Sequence, residues 1–194
     1  MKKIITISRE FGAAGGTIGK AVAERLGFEY YDKALIIRAA RDAHLDVEKM
    51  VNLDEHPPLS FGFGQSLFDL YSAPVEERFY EAQKEVIKKI GEHGKCVIVG
   101  RNANSILSEY DNSLHVFIHA NIYWRVARMK EEKMKDLTSD TIMEEMKKID
   151  KARRKFCSYY TNKDYGQASS YDLSLSSSTL GIDKCIDIIC SAAE

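Results

Sequence analysis

Lys3-Ile4-Ile5-Thr6-Ile7-Ser8-Arg9-Glu10-Phe11-Gly12-Ala13-Ala14-Gly15-Gly16-Thr17 sets the architecture of the chain. Lys3 to Ser8 is a β-rich apolar run, and Thr17 to Leu26 places Ile18, Ala21, Val22 and Ala23 at helical spacing. Between them lies a turn of small residues. Such a turn lets backbone N–H groups close around an anion, backed by the partial positive charge of a helix N-terminus. The plainer reading is a glycine turn that only joins two elements. Its place at the start of a β-α-β unit favours phosphate.

The remaining chain continues the alternation. Gly27 ends the first helix, Phe28 to Tyr31 reads as a second strand, and Leu35, Ile36, Ala39 and Ala40 as a further amphipathic helix. Asn52 to Ser72 carries Pro57, Pro58, Gly62 and Gly64 among aromatics and is expected to be a mobile or substrate-covering loop. Pro74 opens a helix bearing Phe79, Ala82, Val86, Ile87 and Ile90, closed by Gly91 and Gly94. Cys96 to Val99 and Leu114 to Ile118 read as strands, and Tyr123 to Met134 as a helix with Arg125 and Arg128 on one face. Thr138 to Tyr160 is a long charged helix or helix pair, Tyr171 to Leu175 a last strand, and Ile182 to Ala192 a terminal helix. About five strands alternating with helices predict a three-layer α/β/α fold on a parallel, doubly wound sheet. The 194 residues suit one domain, 1–194.

Lys and Arg number 28 against 29 Asp and Glu, so no global basic field argues for a nucleic-acid polymer and any anion site must be built locally. No stretch approaches the roughly 18 apolar residues of a membrane span, and the start is too short for a signal peptide. A soluble cytoplasmic protein is expected. The four cysteines, Cys96, Cys157, Cys185 and Cys190, lack metal spacing and read as reduced thiols. His115 and His119 alternate with apolar residues on a strand and read as structural.

The loop departs from the Walker A pattern G-x-x-x-x-G-K-[ST], which needs a lysine before the hydroxyl residue; Gly15-Gly16 stands there instead. In these features the chain resembles the cytidylate kinase group of nucleoside monophosphate kinases. It is most similar to the cytidylate kinase-like branch, whose loop reads S-R-x-[FY]-G-[SA]-x-G-G-x-x-[IL]-[GA]. Tyr31 to Arg38 resembles the segment D-S-G-x-x-Y-R, and Val97 to Asn102 the D-G-R-D stretch, with Val99 in place of the strand-end Asp. Phe117 to Asn121 with Arg125 and Arg128 resembles F-L-T-A-S-x-x-x-R-A-x-R, and Asp150 with Arg153 resembles the lid pattern D-x-x-R.

The resemblance implies a P-loop kinase with an acceptor-binding insertion at about 39–94 and a lid at about 129–154. It implies phosphoryl transfer from ATP with Mg2+ to a nucleoside monophosphate, cytidylate first. Gly12, Ala13, Ala14, Gly15, Gly16 and Thr17 would hold the ATP phosphates, and Asp32, Arg38, Arg101 and Asn102 the acceptor. Arg9, Arg125, Arg128 and Arg153 would neutralise the transferred group, since this chemistry needs positioning and charge above all. Arg9, at the strand end, is expected to supply the charge of the absent lysine, with Lys20 the weaker candidate. Magnesium would meet the Thr17 hydroxyl, with Asp32 reaching it through water or capping the helix that follows. Two other readings stay open: a non-catalytic nucleotide-binding regulator, and a kinase of a non-nucleotide small molecule.

Overall fold

Every residue of β1 (Ile4–Arg9) except Arg9 is buried, on both faces of the strand. That is the mark of a central parallel strand covered by helices on either side. The computed structural model describes residues 2–32, 34 and 75–194. After β1 come α1 (Gly15–Leu26), β2 (Glu29–Tyr31), α2 (Val75–His93), β3 (Cys96–Val99), α3 (Ala103–Ile106) and β4 (Ser113–His119). Then follow α4 (Ile122–Glu132), α5 (Ser139–Thr161), β5 (Leu173–Ser176), α6 (Ser177–Leu180) and α7 (Ile182–Ala193). The expected helix around Leu35 to Ala40, the loop 52–72 and Arg38 lie outside the described residues.

The sheet has five strands in the order β2-β3-β1-β4-β5, all parallel. β1 pairs with β3 on one side and β4 on the other, with Ile7 opposite both Val99 and Val116. Strand order reverses at β1, so its C-terminal end opens onto a crevice where ligands bind in sheets of this kind. Thr6 and Ser8 are buried among the apolar side chains of β1.

Two apolar layers flank the sheet. Ile5, Ile7, Val97, Val99 and Val116 pack against Ile18 and Val22 of α1 and Ile186 and Ile189 of α7. On the other face Ile4, Cys96 and Ile98 pack against Val86, Ile87 and Ile90 of α2 and Leu107 beyond α3. A third cluster, Val126 and Met129 with Ile142 and Met146, joins α4 to α5. Thr138 caps α5 by accepting from the Thr141 N–H at 3.2 Å, and the helix runs unbroken for 23 residues, so the long charged segment is one helix. β5 begins two residues later than expected because Asp172 pairs differently. Its carboxylate accepts the His115 N–H at 2.7 Å while its own N–H donates to His115 O at 2.8 Å.

His115 is half-buried on β4 and has a structural place. Ser113 Oγ donates to Tyr110 O at 2.6 Å, so it accepts from His115 Nε2 at 2.9 Å, and Nδ1 accepts from Thr6 Oγ1 at 2.8 Å. Burial, aided by Lys163 and Lys2 against the opposing Asp172, lowers its pKa below 6.5. The unfolded chain therefore binds the proton more readily, and stability falls as pH drops through 6.5. The denaturation midpoint should decline over that range, and His115→Asn should flatten the decline; an unchanged slope would count against this histidine.

α1 approaches the sheet through Gly19, where a Cβ would lie 2.8 Å from Val99 Cγ2 and 3.2 Å from Ile7 Cδ1. In an open helix Gly→Ala stabilises by about 1 kcal/mol. Here Gly19→Ala should instead lower the urea midpoint, through an overpacking cost of about 1–3 kcal/mol. The Gly19→Ala/Val99→Ala double variant should lose less than the sum of the single losses.

Candidate active site

β1 delivers the chain into the turn Glu10 to Ala14, in which Gly12 and Ala14 adopt left-handed φ angles of +79° and +66°. Ala13 N–H closes the turn on Glu10 O at 3.3 Å. The bond from Ile18 N–H to Ala14 O, at 2.9 Å, is the first of the helical ladder, so the N–H groups of Gly15, Gly16 and Thr17 have no acceptor within α1. The carbonyls of the turn are taken by side chains of α4 and α6. Phe11 O accepts from Arg125 at 3.1 Å, Gly12 O from Arg128 at 3.4 Å, and Ala13 O from Ser177 at 2.8 Å. With acceptors engaged and helix-terminal donors left over, the turn is polarised towards an anion.

Arg125 and Asp150 form the firmest part of this framework. Arg125 Nη1 lies 2.6 Å from Asp150 Oδ2, and Asp150 Oδ1 accepts the Phe11 N–H at 2.7 Å. Arg125 Nε is 3.7 Å from Glu10 Oε2, which also accepts the Ala120 N–H at 3.1 Å. Only 6% of Arg125 and 4% of Asp150 are exposed. The structure thus sets Arg125 behind the turn, where it holds Phe11.

Arg9, Arg128 and Arg153 stand on the other side. They border an open cavity of about 640 Å³, together with Gly15, Gly16, Thr17, Tyr30, Asp32 and Val99. Arg128 Nη2 donates to Thr17 Oγ1 at 3.1 Å and pairs with Glu132 at 3.0 Å. Arg153 donates to Arg9 O at 2.9 Å, with its guanidinium 5.7 Å from the Phe11 ring centre. Tyr165 Oη accepts the Arg9 N–H at 3.0 Å and donates to Arg9 O at 2.7 Å, extending the ladder of β1 by a side chain. Burial raises the pKa of the Tyr30 phenol; Asp32 adds to the rise and Arg9 opposes it, so the Arg9 charge is felt at the cavity wall. Lys20 is exposed on α1.

Beyond β3 the backbone turns through three consecutive left-handed residues, Gly100 (φ +83°), Arg101 (φ +61°) and Asn102 (φ +53°). Each non-glycine residue held there carries a cost of order 1–3 kcal/mol, and such strain clusters at functional sites. Arg101 and Asn102 are buried, at 7% and 6% exposure. A cleft of about 20 Å³, near the size of one water, separates them from Ser8, Arg9 and Arg153. Arg9 and Arg153 therefore border both cavities, between the turn and Arg101. Among the described residues no group of three or more His, Cys, Asp or Glu is placed to hold a metal ion.

Sequence reasoning passed over Gly100 and Ser177; it reads Tyr165 as a ring that packs or stacks and Glu10 as an acid that could pair with Arg9. Gly100 directly precedes Arg101, so its place was open to inspection; Ser177 and Tyr165 reach the turn from more than 150 residues away, and no local pattern marks them. Because Asp150 and Arg125 are both buried, Asp150→Ala leaves the Arg125 charge with only its longer, 3.7 Å contact to Glu10. It should cost about 3–5 kcal/mol of unfolding free energy and speed hydrogen exchange at the Phe11 amide. A loss below about 1 kcal/mol would mean that the pair does not hold the turn.

Comparison with known proteins agrees with this geometry. The chain is similar to a curated cytidylate kinase from Chlamydia caviae, at 29% identity over 167 residues, covering 73% of this chain and 75% of the relative. The solved structure of an uncharacterized protein from Eubacterium ventriosum superposes with a TM-score of 0.75 at 25% identity, covering 98% of this chain and 97% of that one. The shikimate kinase of Bacteroides thetaiotaomicron shares the fold, with a TM-score of 0.56 at 16% identity over 97% of both chains. Family and fold are those of phosphoryl-transferring P-loop kinases. The model described as the cytidylate kinase-like family matches residues 4–179, and the chain belongs to that family.

Proposed function

We propose that the chain transfers the γ-phosphoryl of Mg-ATP to a nucleoside monophosphate, cytidylate first among acceptors. The observation that carries this reading is the place of Arg9 and Arg153, which border both the cavity at the turn and the cleft beside Arg101 and Asn102. A transferred group passing between two nucleotides needs charge there and little else from the protein. The family and the relative named cytidylate kinase support the acceptor.

Mg-ATP supplies the phosphoryl group and the metal charge. The turn fits its polyphosphate: Gly12, Gly15 and Gly16 present no side chain, and the first-turn amides face no acceptor within α1. Thr17 Oγ1 and Asp32 are the groups that would hold the metal, a thin set that suits an ion arriving with the phosphates and keeping most of its waters. Gly12 to Thr17 bind the donor; Arg9, Arg128 and Arg153 gather charge; Arg101 and Asn102 orient the acceptor, joined by Arg38. Arg125 fixes the turn. Such substrates fit a cytoplasmic protein acting on small nucleotides, with no polymer or membrane as partner; no described helix is long and apolar enough to cross a membrane.

The test follows ADP production from Mg-ATP with a panel of monophosphates. Turnover that depends on acceptor and is greatest with cytidylate is expected. Saturable ATP binding without turnover would support a non-catalytic regulator, and turnover only on a non-nucleotide acceptor would replace the substrate class. A charge-assisted hydrogen bond to phosphate contributes about 1.5–3 kcal/mol. Arg9→Ala should therefore lower kcat/KM at least about tenfold, while Lys20→Ala leaves it unchanged.

A further inference from the structure

The Arg9 side chain does not extend straight from the end of β1. It lies along the first residue of α1: a Cβ built on Gly15 would fall 2.5 Å from Arg9 Cβ, 2.8 Å from Cγ and 3.6 Å from Cδ. Its tip reaches the residue after β3, where a Cβ on Gly100 would meet Arg9 Nη1 and lie 3.1 Å from Cζ. The backbone at its root is fixed by Tyr165 and Arg153. Contact at Cγ would yield to a different χ1 rotamer, but the contact at Cβ is set by the backbone and no rotamer relieves it.

We infer that Gly15 and Gly100 are positioning residues: they form a trench that fixes the course of the Arg9 side chain from the start of α1 to the residue after β3, along the cavity at the turn, and position 15 is bare because Cβ and Cγ of residue 9 fill the space a side chain there would need. The absence of a lysine in the turn and the presence of Arg9 are then one steric arrangement. The loop carries its cation on the strand before the turn, and a cation at position 15 excludes it. The inference rests on the polyphosphate site proposed above and gives Gly15 a steric task beside the presentation of its amide.

A double-mutant cycle read by calorimetry with inorganic tripolyphosphate tests this, with no acceptor needed. Arg9→Gly, which removes the Cβ as well as the charge, and Gly15→Ala should each weaken binding at least about tenfold, the latter although alanine is the best helix former. The Arg9→Gly/Gly15→Ala chain should bind no more weakly than Arg9→Gly. Gly15→Lys in the Arg9→Gly background should recover most of the lost affinity, whereas Gly15→Lys with Arg9 present should not exceed wild type. A role of Gly15 in backbone approach alone would make the two losses multiply, and that result, or wild-type affinity in Gly15→Ala, overturns the inference while leaving the kinase reading intact. Failure of the wild-type protein to bind tripolyphosphate overturns both. Thermal midpoints check folding; if Gly15→Ala does not fold, the same cycle with Gly100→Asn, a residue that tolerates the left-handed φ of +83° there, decides, non-additive losses supporting the trench and multiplying losses removing it.

Discussion

Phe11 is held on both sides by one ion pair. Its N–H donates to Asp150, its carbonyl accepts from Arg125, and the two side chains meet at 2.6 Å. Two charges taken out of water cost several kcal/mol each unless their remaining donors and acceptors are met. Here each finds a backbone partner in the turn as well as the other charge. The position of the turn thus depends on α4 and α5 as much as on β1. A movement of α5 away from the turn must break this pair, so α5 is fastened to the turn.

The arginines divide by what surrounds them. Arg125 is enclosed and serves the backbone, whereas Arg9, Arg128 and Arg153 border the cavity and combine a backbone or hydroxyl contact with a place on its wall. By binding its carbonyls, Arg125, Arg128 and Ser177 orient the peptide units of the turn. The anion preference of the turn is a property of that orientation, reinforced by the start of α1.

Close approach governs the rest of the site. A Cβ on Gly12 would lie 3.1 to 3.3 Å from Met146, Met129 and Arg125, one on Gly19 would meet Val99, and one on Gly15 or Gly100 would meet Arg9. At these points the backbone of one element touches side chains of another. The third apolar cluster therefore reaches the turn directly, and α1 lies low enough on the sheet to bring its N-terminus to the strand ends.

The sequence by itself determined the layered fold, because strands buried on both faces must be apolar almost throughout, as in Ile4 to Ile7 and Cys96 to Val99, and helices between them must show a period near 3.6. It also marked the small residues of the turn and the set of arginines. The lengths of α3 and α6, four residues each, carried no periodic signal. Only the tertiary structure decided which arginine holds the turn and which faces the cavity, since side-chain burial depends on packing between segments that sequence spacing does not relate. The same holds for Tyr165 and Ser177, whose bonds to Arg9 and Ala13 span 156 and 164 residues. Strand pairing and helix packing bring such groups together, and a chain read one local window at a time contains no distance between them.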